Sequence, residues 1–242
     1  LAGEIERPDF AIYVEPTKLA IYPAQIGFFI ADITITGKSA YFGVPEQGVD
    51  ALKAAHSVLS AIWDHAADIS ARGAHPLVGR SNALVTEIKA GGYIAVPGDC
   101  TMSLIRKLRP GEDLDEAVAE FESAVRNAPV ADGIAIDIGY PAGRDHRFGG
   151  SPAQVSEDLP AISALADAVG SALAGRGAIE GAPYWSEMPF LVDQIGCPAV
   201  YCAPGDITNC HTLEERVNIE EYVAGIIAFA AFTANHCGVV GK

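Results

Sequence analysis

The chain has 242 residues, half of them hydrophobic and 19% charged, and carries a formal net charge of −15 at pH 7. That length and composition suit one or two folded domains and exclude a disordered polypeptide, while the acidic balance excludes nucleic-acid binding, which needs Lys and Arg against phosphates. No apolar run reaches membrane-spanning length, the longest being residues 223–234, and Leu1 opens no charged-then-apolar leader.

In chain order, Asp9–Val14 reads as an apolar strand, with Glu15-Pro16-Thr17 at its end. Pro16 stops the strand and helps to aim Glu15, a carboxylate that is either solvated or recruited to a site. Phe28–Thr36 alternates as a half-buried strand. Val49–Ser70 places Leu52, Ala55, Val58, Leu59, Ile62, Trp63 and Ala66 on one helical face, with His56 and His65 as structural residues. Two strands follow, Asn82–Lys89 and Cys100–Leu108, then a helix over Leu114–Asn127 and a strand over Gly133–Ile138. The resulting β-α-β-β-α-β order is ferredoxin-like: one antiparallel sheet with two helices on one face.

Pro141–Ser156 lacks periodicity and reads as a crossing loop. A helix over Leu159–Leu173, a Gly-rich turn over Gly175–Gly181 and the apolar segment Phe190–Ile195 come next. Cys197–Cys202 is a short buried strand broken by Pro204-Gly205, so His211 falls on a loop at a strand end, where α/β proteins keep their sites. Thr212-Leu-Glu-Glu215 carries the signature of a helix start, and the last helix spans Glu220–His236. His211 is read as a metal ligand or proton carrier, or as a surface neighbour of that cap. The five cysteines are odd in number and lack Cys-x-x-Cys spacing, which fits reduced core residues of a cytoplasmic protein. Cys210 makes a poor nucleophile with the adjacent His211, because neighbouring side chains rarely converge.

Pro204-Gly205, a short spacer, His211-Thr212, Glu214 and an apolar helix resemble the C-terminal motif of the di-zinc amidohydrolases and peptidases. That family includes acetylornithine deacetylase, succinyl-diaminopimelate desuccinylase, aminoacylase and carboxypeptidase G. Glu15-Pro16-Thr17, the Gly37–Ala51 segment, Asn82 with Gly91-Gly92, and an Arg before Pro110-Gly111-Glu112 are similar to its other motifs in the expected order. The resemblance implies an α/β zinc-peptidase-like catalytic domain (residues 1–27 and 146–242) interrupted by an inserted ferredoxin-like dimerisation domain (28–145). It implies Glu15 and His211 as ligands in a two-zinc site, and Asn82 and Arg106 as substrate-binding, with Arg109 the fallback for Arg106; Gly205 either brings backbone close to substrate or turns the loop. It also implies a homodimer that hydrolyses the amide bond of an N-acyl amino acid or peptide.

Two departures stand out. Tyr41 occupies the place of a family His that stabilises the developing oxyanion; it offers a phenolic donor there or is an aromatic packed beside Phe42. The family's His-x-Asp, bridging Asp and Glu-Glu pair do not precede Glu15. Zinc sites need about three protein ligands per ion, so the isolated chain is expected to hold no zinc and to be inactive. The alternatives are a non-catalytic dimerisation or binding module derived from the family, or a dipeptidase or carboxypeptidase of the same family.

Overall fold

The computed structural model describes residues 6–238. Residues 1–5 and 239–242, at the outer edges of the two expected catalytic stretches, lie outside the described residues, as does the leader reading at Leu1. The elements run β1 (Ala11–Tyr13), β2 (Ile21–Gln25), β3 (Gly27–Thr36), α1 (Ala51–Ala71), β4 (Asn82–Ala90) and β5 (Asp99–Leu108). They continue as α2 (Leu114–Arg126), β6 (Ala135–Gly139), α3 (Pro160–Ala172), β7 (Ile179–Ala182), β8 (Ala199–Tyr201) and α4 (Ile219–Cys237). The chain is mixed α/β and divides into two compact units, one of residues 27–75 and 79–151, the other of residues 1–26, 76–78 and 152–242.

In the unit of residues 27–75 and 79–151 the strand order is β6-β3-β5-β4, all antiparallel. β3 and β5 pair without interruption from Gly27↔Leu108 to Thr36↔Asp99. Because strand side chains alternate, Phe29, Ala31, Ile33 and Ile35 of β3 share a buried face with Cys100, Met102, Leu104 and Leu108 of β5. The two helices cover that face. α1 starts where Asp50 accepts hydrogen bonds from the Leu52 and Lys53 amides at 3.0 and 3.1 Å. It buries Ala51, Ala54, Ala55, Val58, Ile62, His65 and Ile69. Leu52 and Trp63 are exposed instead, so the inward stripe runs through Ala54 and His65. Burial, reinforced by Arg106, lowers the His65 pKa and keeps the ring neutral. α2 is capped by Asp113 and buries Leu114, Ala117, Val118, Phe121 and Val125, with Phe121 against Phe29 at 5.5 Å.

In the other unit, β8 lies between β1, its parallel partner, and β2, which it meets at Tyr201↔Tyr22. β2 also pairs with β7 and with Ala153–Gln154. Ile21–Gln25 carried no expectation from the sequence, and Pro23 stands at its centre. The Pro23 carbonyl nevertheless accepts from the Val155 amide at 2.8 Å, and all five residues are buried. The expected Gly-rich turn over 175–181 gives way to β7 from Ile179, and the expected loop over 141–156 contains two short pairing segments, Gly149–Gly150 and Ala153–Gln154. α3 and α4 pack through Ile162, Leu165, Val169, Ala224, Ala228 and Phe232.

Candidate functional site

The site is built where β1 and β8 end side by side. β8 is buried throughout and runs into Cys202-Ala203-Pro204-Gly205, while β1 gives way to Glu15-Pro16-Thr17. Thr17 ties the two segments together. Its buried hydroxyl donates toward the Ala20 carbonyl at 2.7 Å, lies 3.2 Å from the Ala203 carbonyl and accepts from the Ala203 amide at 3.1 Å. Lys18 and Leu19 follow with φ of 54° and 62°, a left-handed pair held by the Lys18 amide to the Gly205 carbonyl at 2.7 Å. Lys18 also reaches Asp206 at 2.6 Å, and this contact with the Thr208 amide holds the Asp206 carboxyl down at about 2.

Gly205 has a φ of 99°, and a Cβ there would sit 3.3 Å from the Pro16 Cβ. Its amide donates to the Glu221 carboxylate at 3.2 Å, and Glu221 also pairs with Arg176. The backbone can therefore take this close path only as glycine.

Glu15 is half-buried, with Ser186 Oγ 2.9 Å from its Oε1. Tyr13, Tyr22, Tyr184 and Tyr201 form a contiguous cluster of rings. Burial, and after it the Glu15 charge, raises the Tyr184 pKa. The Cys210 thiol is raised by burial, then by the charges of Glu215, Glu15 and Asp206. A thiol raised in this way is no nucleophile at neutral pH.

The His211 loop is not the helix start that Thr212-Leu-Glu-Glu215 suggested. His211 takes a φ of 60°, its amide donates to Glu215 Oε2 at 3.1 Å, and the Thr212 hydroxyl donates to the Asn209 carbonyl at 2.8 Å. These local side-chain bonds compete with helix and produce a turn. The helix waits for Asn218, whose side chain caps the amides of Glu220 and Glu221. His211 itself is exposed.

The candidates of the other unit do not form one site. Inward positions on β5 are Cys100, Met102, Leu104, Arg106 and Leu108, so alternation carries Arg106 to the helix-covered face, where it is 1% exposed. There it donates to Glu112 Oε1 at 2.7 Å. Burial alone would raise the Glu112 pKa; bonds from Arg106, Ser81 and the Arg109 amide outweigh it and hold the carboxyl below its ordinary value. Arg106 is thus engaged in the core rather than presented to a substrate. Arg109 lies 4.0 Å from the same carboxylate. Asn82 pairs with Lys107, and Ala83 with Arg106, so Asn82 and Arg106 point to opposite faces of the sheet. Tyr41 lies on the short segment Ala40–Tyr41, is 58% exposed and rests its ring 4.7 Å from Phe42.

Among the described residues no group of three or more His, Cys, Asp or Glu is arranged to hold a metal ion. Glu15 and His211 are donors of the right chemistry, but they are two where a zinc ion takes about three from the protein. The described residues therefore do not fit a complete metal centre. Sequence reasoning missed Ser186, Gln25 and Tyr201, whose bonds to one another and to Glu15 span more than 160 residues of chain. The one local signal was Ser186-Glu187 beside the apolar Met188-Pro189-Phe190 run.

Residues 24–133 match the family described as the peptidase dimerisation domain. The acetylornithine deacetylase of Myxococcus xanthus is 26% identical over 238 residues, covering 96% of this chain and 59% of that protein. That of Vibrio parahaemolyticus is 26% identical over 225 residues, covering 88% of this chain and 54% of its own length. The chain thus spans little more than half of these relatives. Among solved structures, the M20 family metallo-carboxypeptidase Sso-CP2 from Sulfolobus solfataricus matches with a TM-score of 0.70 at 13% identity, covering 93% of this chain and 62% of its own. Human carnosine dipeptidase 1 matches with a TM-score of 0.60 at 12% identity, covering 95% and 59%. At these identities the structures speak for the fold.

Proposed function

We propose that this chain, which belongs to the amidohydrolase and peptidase family that includes acetylornithine deacetylase, is part of a metal-dependent hydrolase of amide bonds in N-acyl amino acids or related small molecules. The observation that carries this reading is the joining of the Glu15 segment to the Pro204-Gly205 segment, from which the His211 loop continues, through Thr17. Glu15 and His211 are the donors this stretch supplies to zinc, which when bound polarises the scissile carbonyl and activates water. Glu15, half-buried and bonded by Ser186, is pre-oriented; Gly205 lets the backbone pass close against Pro16. Asn82, on the open face of its sheet, is free to bind a substrate carboxylate or carbonyl, and Arg106 instead holds the β5 end to the start of α2.

Because the described donors fall short of a complete centre, the 242-residue chain alone is proposed to be inactive. The test is release of free amine from N-acetyl amino acids by the longest natural form of the protein, with zinc and then with chelator. Zinc-dependent release supports the reading; none with any acyl amino acid, in protein shown to carry zinc, refutes it.

The second reading is a dimerisation module without catalysis. It is favoured by Tyr41, whose exposed ring lies on Phe42, and by the match of residues 24–133. Both readings include a homodimer. β4 is an edge strand of the sheet with Leu84 and Ile88 exposed, a template for pairing with a second copy. Sedimentation of L84K/I88K against wild type tests that: a monomeric variant supports the edge, an unchanged dimer refutes it.

A further inference from the structure

Among the described residues Ser186 is the one side chain that hydrogen bonds the Glu15 carboxylate, at 2.9 Å to Oε1. The same hydroxyl also makes a short contact with Glu187 Oε2. A serine hydroxyl has one proton and can donate to one carboxylate at a time. Ser186 Oγ reaches both carboxylates, so its proton alternates between Glu15 Oε1 and Glu187 Oε2.

The hydroxyl is also fixed in space. The Ser186 amide donates to Gln25 Oε1 at 3.0 Å, the Tyr201 hydroxyl donates to the same oxygen, and the Met188 amide donates to the Tyr201 hydroxyl oxygen at 3.0 Å. Ser186, Gln25, Met188 and Tyr201 are all buried. A first group held by such outer bonds presents one orientation, which is how supporting residues tune a site.

We infer that Ser186 is the positioning residue of Glu15, its hydroxyl holding Oε1 from the end of the buried Gln25–Tyr201 network, with Glu187 competing for the same proton. This rests on the reading of Glu15 as a site residue. It extends that reading to the serine that contacts Glu15 and to the buried residues that hold it.

The test follows the Glu15 side-chain carboxyl carbon by NMR in protein labelled at glutamate, its signal assigned from Glu15→Gln. Ser186→Ala is expected to shift that signal, and Ser186→Thr, which restores a hydroxyl, to bring it back. A Glu15 signal unmoved by Ser186→Ala, or moved equally by Ser186→Thr, overturns the proposal. If Ser186→Ala fails to fold, Glu187→Gln serves: it removes the carboxylate that competes for the Ser186 proton and is expected to shift the Glu15 signal, and an unmoved signal again overturns the idea. Should Ser186→Ala move the signal while Glu15→Gln leaves hydrolysis intact, the positioning stands and the functional reading falls.

Discussion

The unit around α1 and α2 and the unit around Glu15 solve the same problem of burying polar groups in different ways. In the first, partners are near in sequence: Arg106 and Glu112 close a buried ion pair six residues apart, and each helix is capped by the Asp immediately before it. In the second, partners are far apart: Thr17 bonds Ala203 across 186 residues, Ser186 bonds Glu15 across 171, and Tyr201 bonds Gln25 across 176. A site assembled from distant strand ends has no short-range fallback, so its geometry depends on each long tie.

The strongest way to break the first arrangement is Arg106→Ala, which leaves the Glu112 carboxylate buried without its main partner. A loss of about 3–5 kcal/mol is expected in denaturant unfolding. The same pair sets an acid limb. The folded Glu112 pKa lies below its ordinary 4.5, so its contribution is present above that value and is lost as pH falls through the folded pKa. Glu112→Gln should flatten stability against pH in that window, and an unchanged acid limb counts against the pair.

Thr17→Val removes the hydroxyl that the Ala203 amide donates to and should cost about 1–3 kcal/mol. Its hydrolysis rate should fall more than its stability suggests. Gly205→Ala, forced to a φ of 99°, should cost a comparable ~1–3 kcal/mol, read as a lower Tm. At the small end, Arg72→Ala breaks an exposed pair with Glu120 and should change stability by less than about 1 kcal/mol. A large effect there would blur the contrast between buried and surface charge. Thiol labelling sharpens it further: exposed Cys237 should react with iodoacetamide, while buried Cys202, pushed up to about 12, should stay unmodified in the native state.

The same contrast explains what could be read in advance. Strict alternation made β3 and β5 legible, and helical spacing made α1 and α2 legible, to within two residues at their ends. Alternation also held an unused warning: Arg106 is in phase with Cys100, Met102 and Leu104, so it had to enter the core. β2 was hidden by Pro23, because its place in the sheet follows from strands more than 120 residues further on. The motif at Thr212 misled because Thr212 bonds Asn209 and Glu215 bonds the His211 amide, a turn that spends both capping groups before any helix begins. Gln25 left no local trace and Ser186 only its pairing with Glu187, since their meaning lies in the partners they meet after folding.

The measurement closest to the central claim is amide hydrolysis by the longest natural form of the protein carrying Glu15→Gln or His211→Ala, each checked for retained fold. The account predicts that both fall by at least about a hundredfold, as expected when a ligand rather than its support is removed. Wild-type rates in either variant would contradict it, because they would place the chemistry somewhere other than the meeting of these two strand ends.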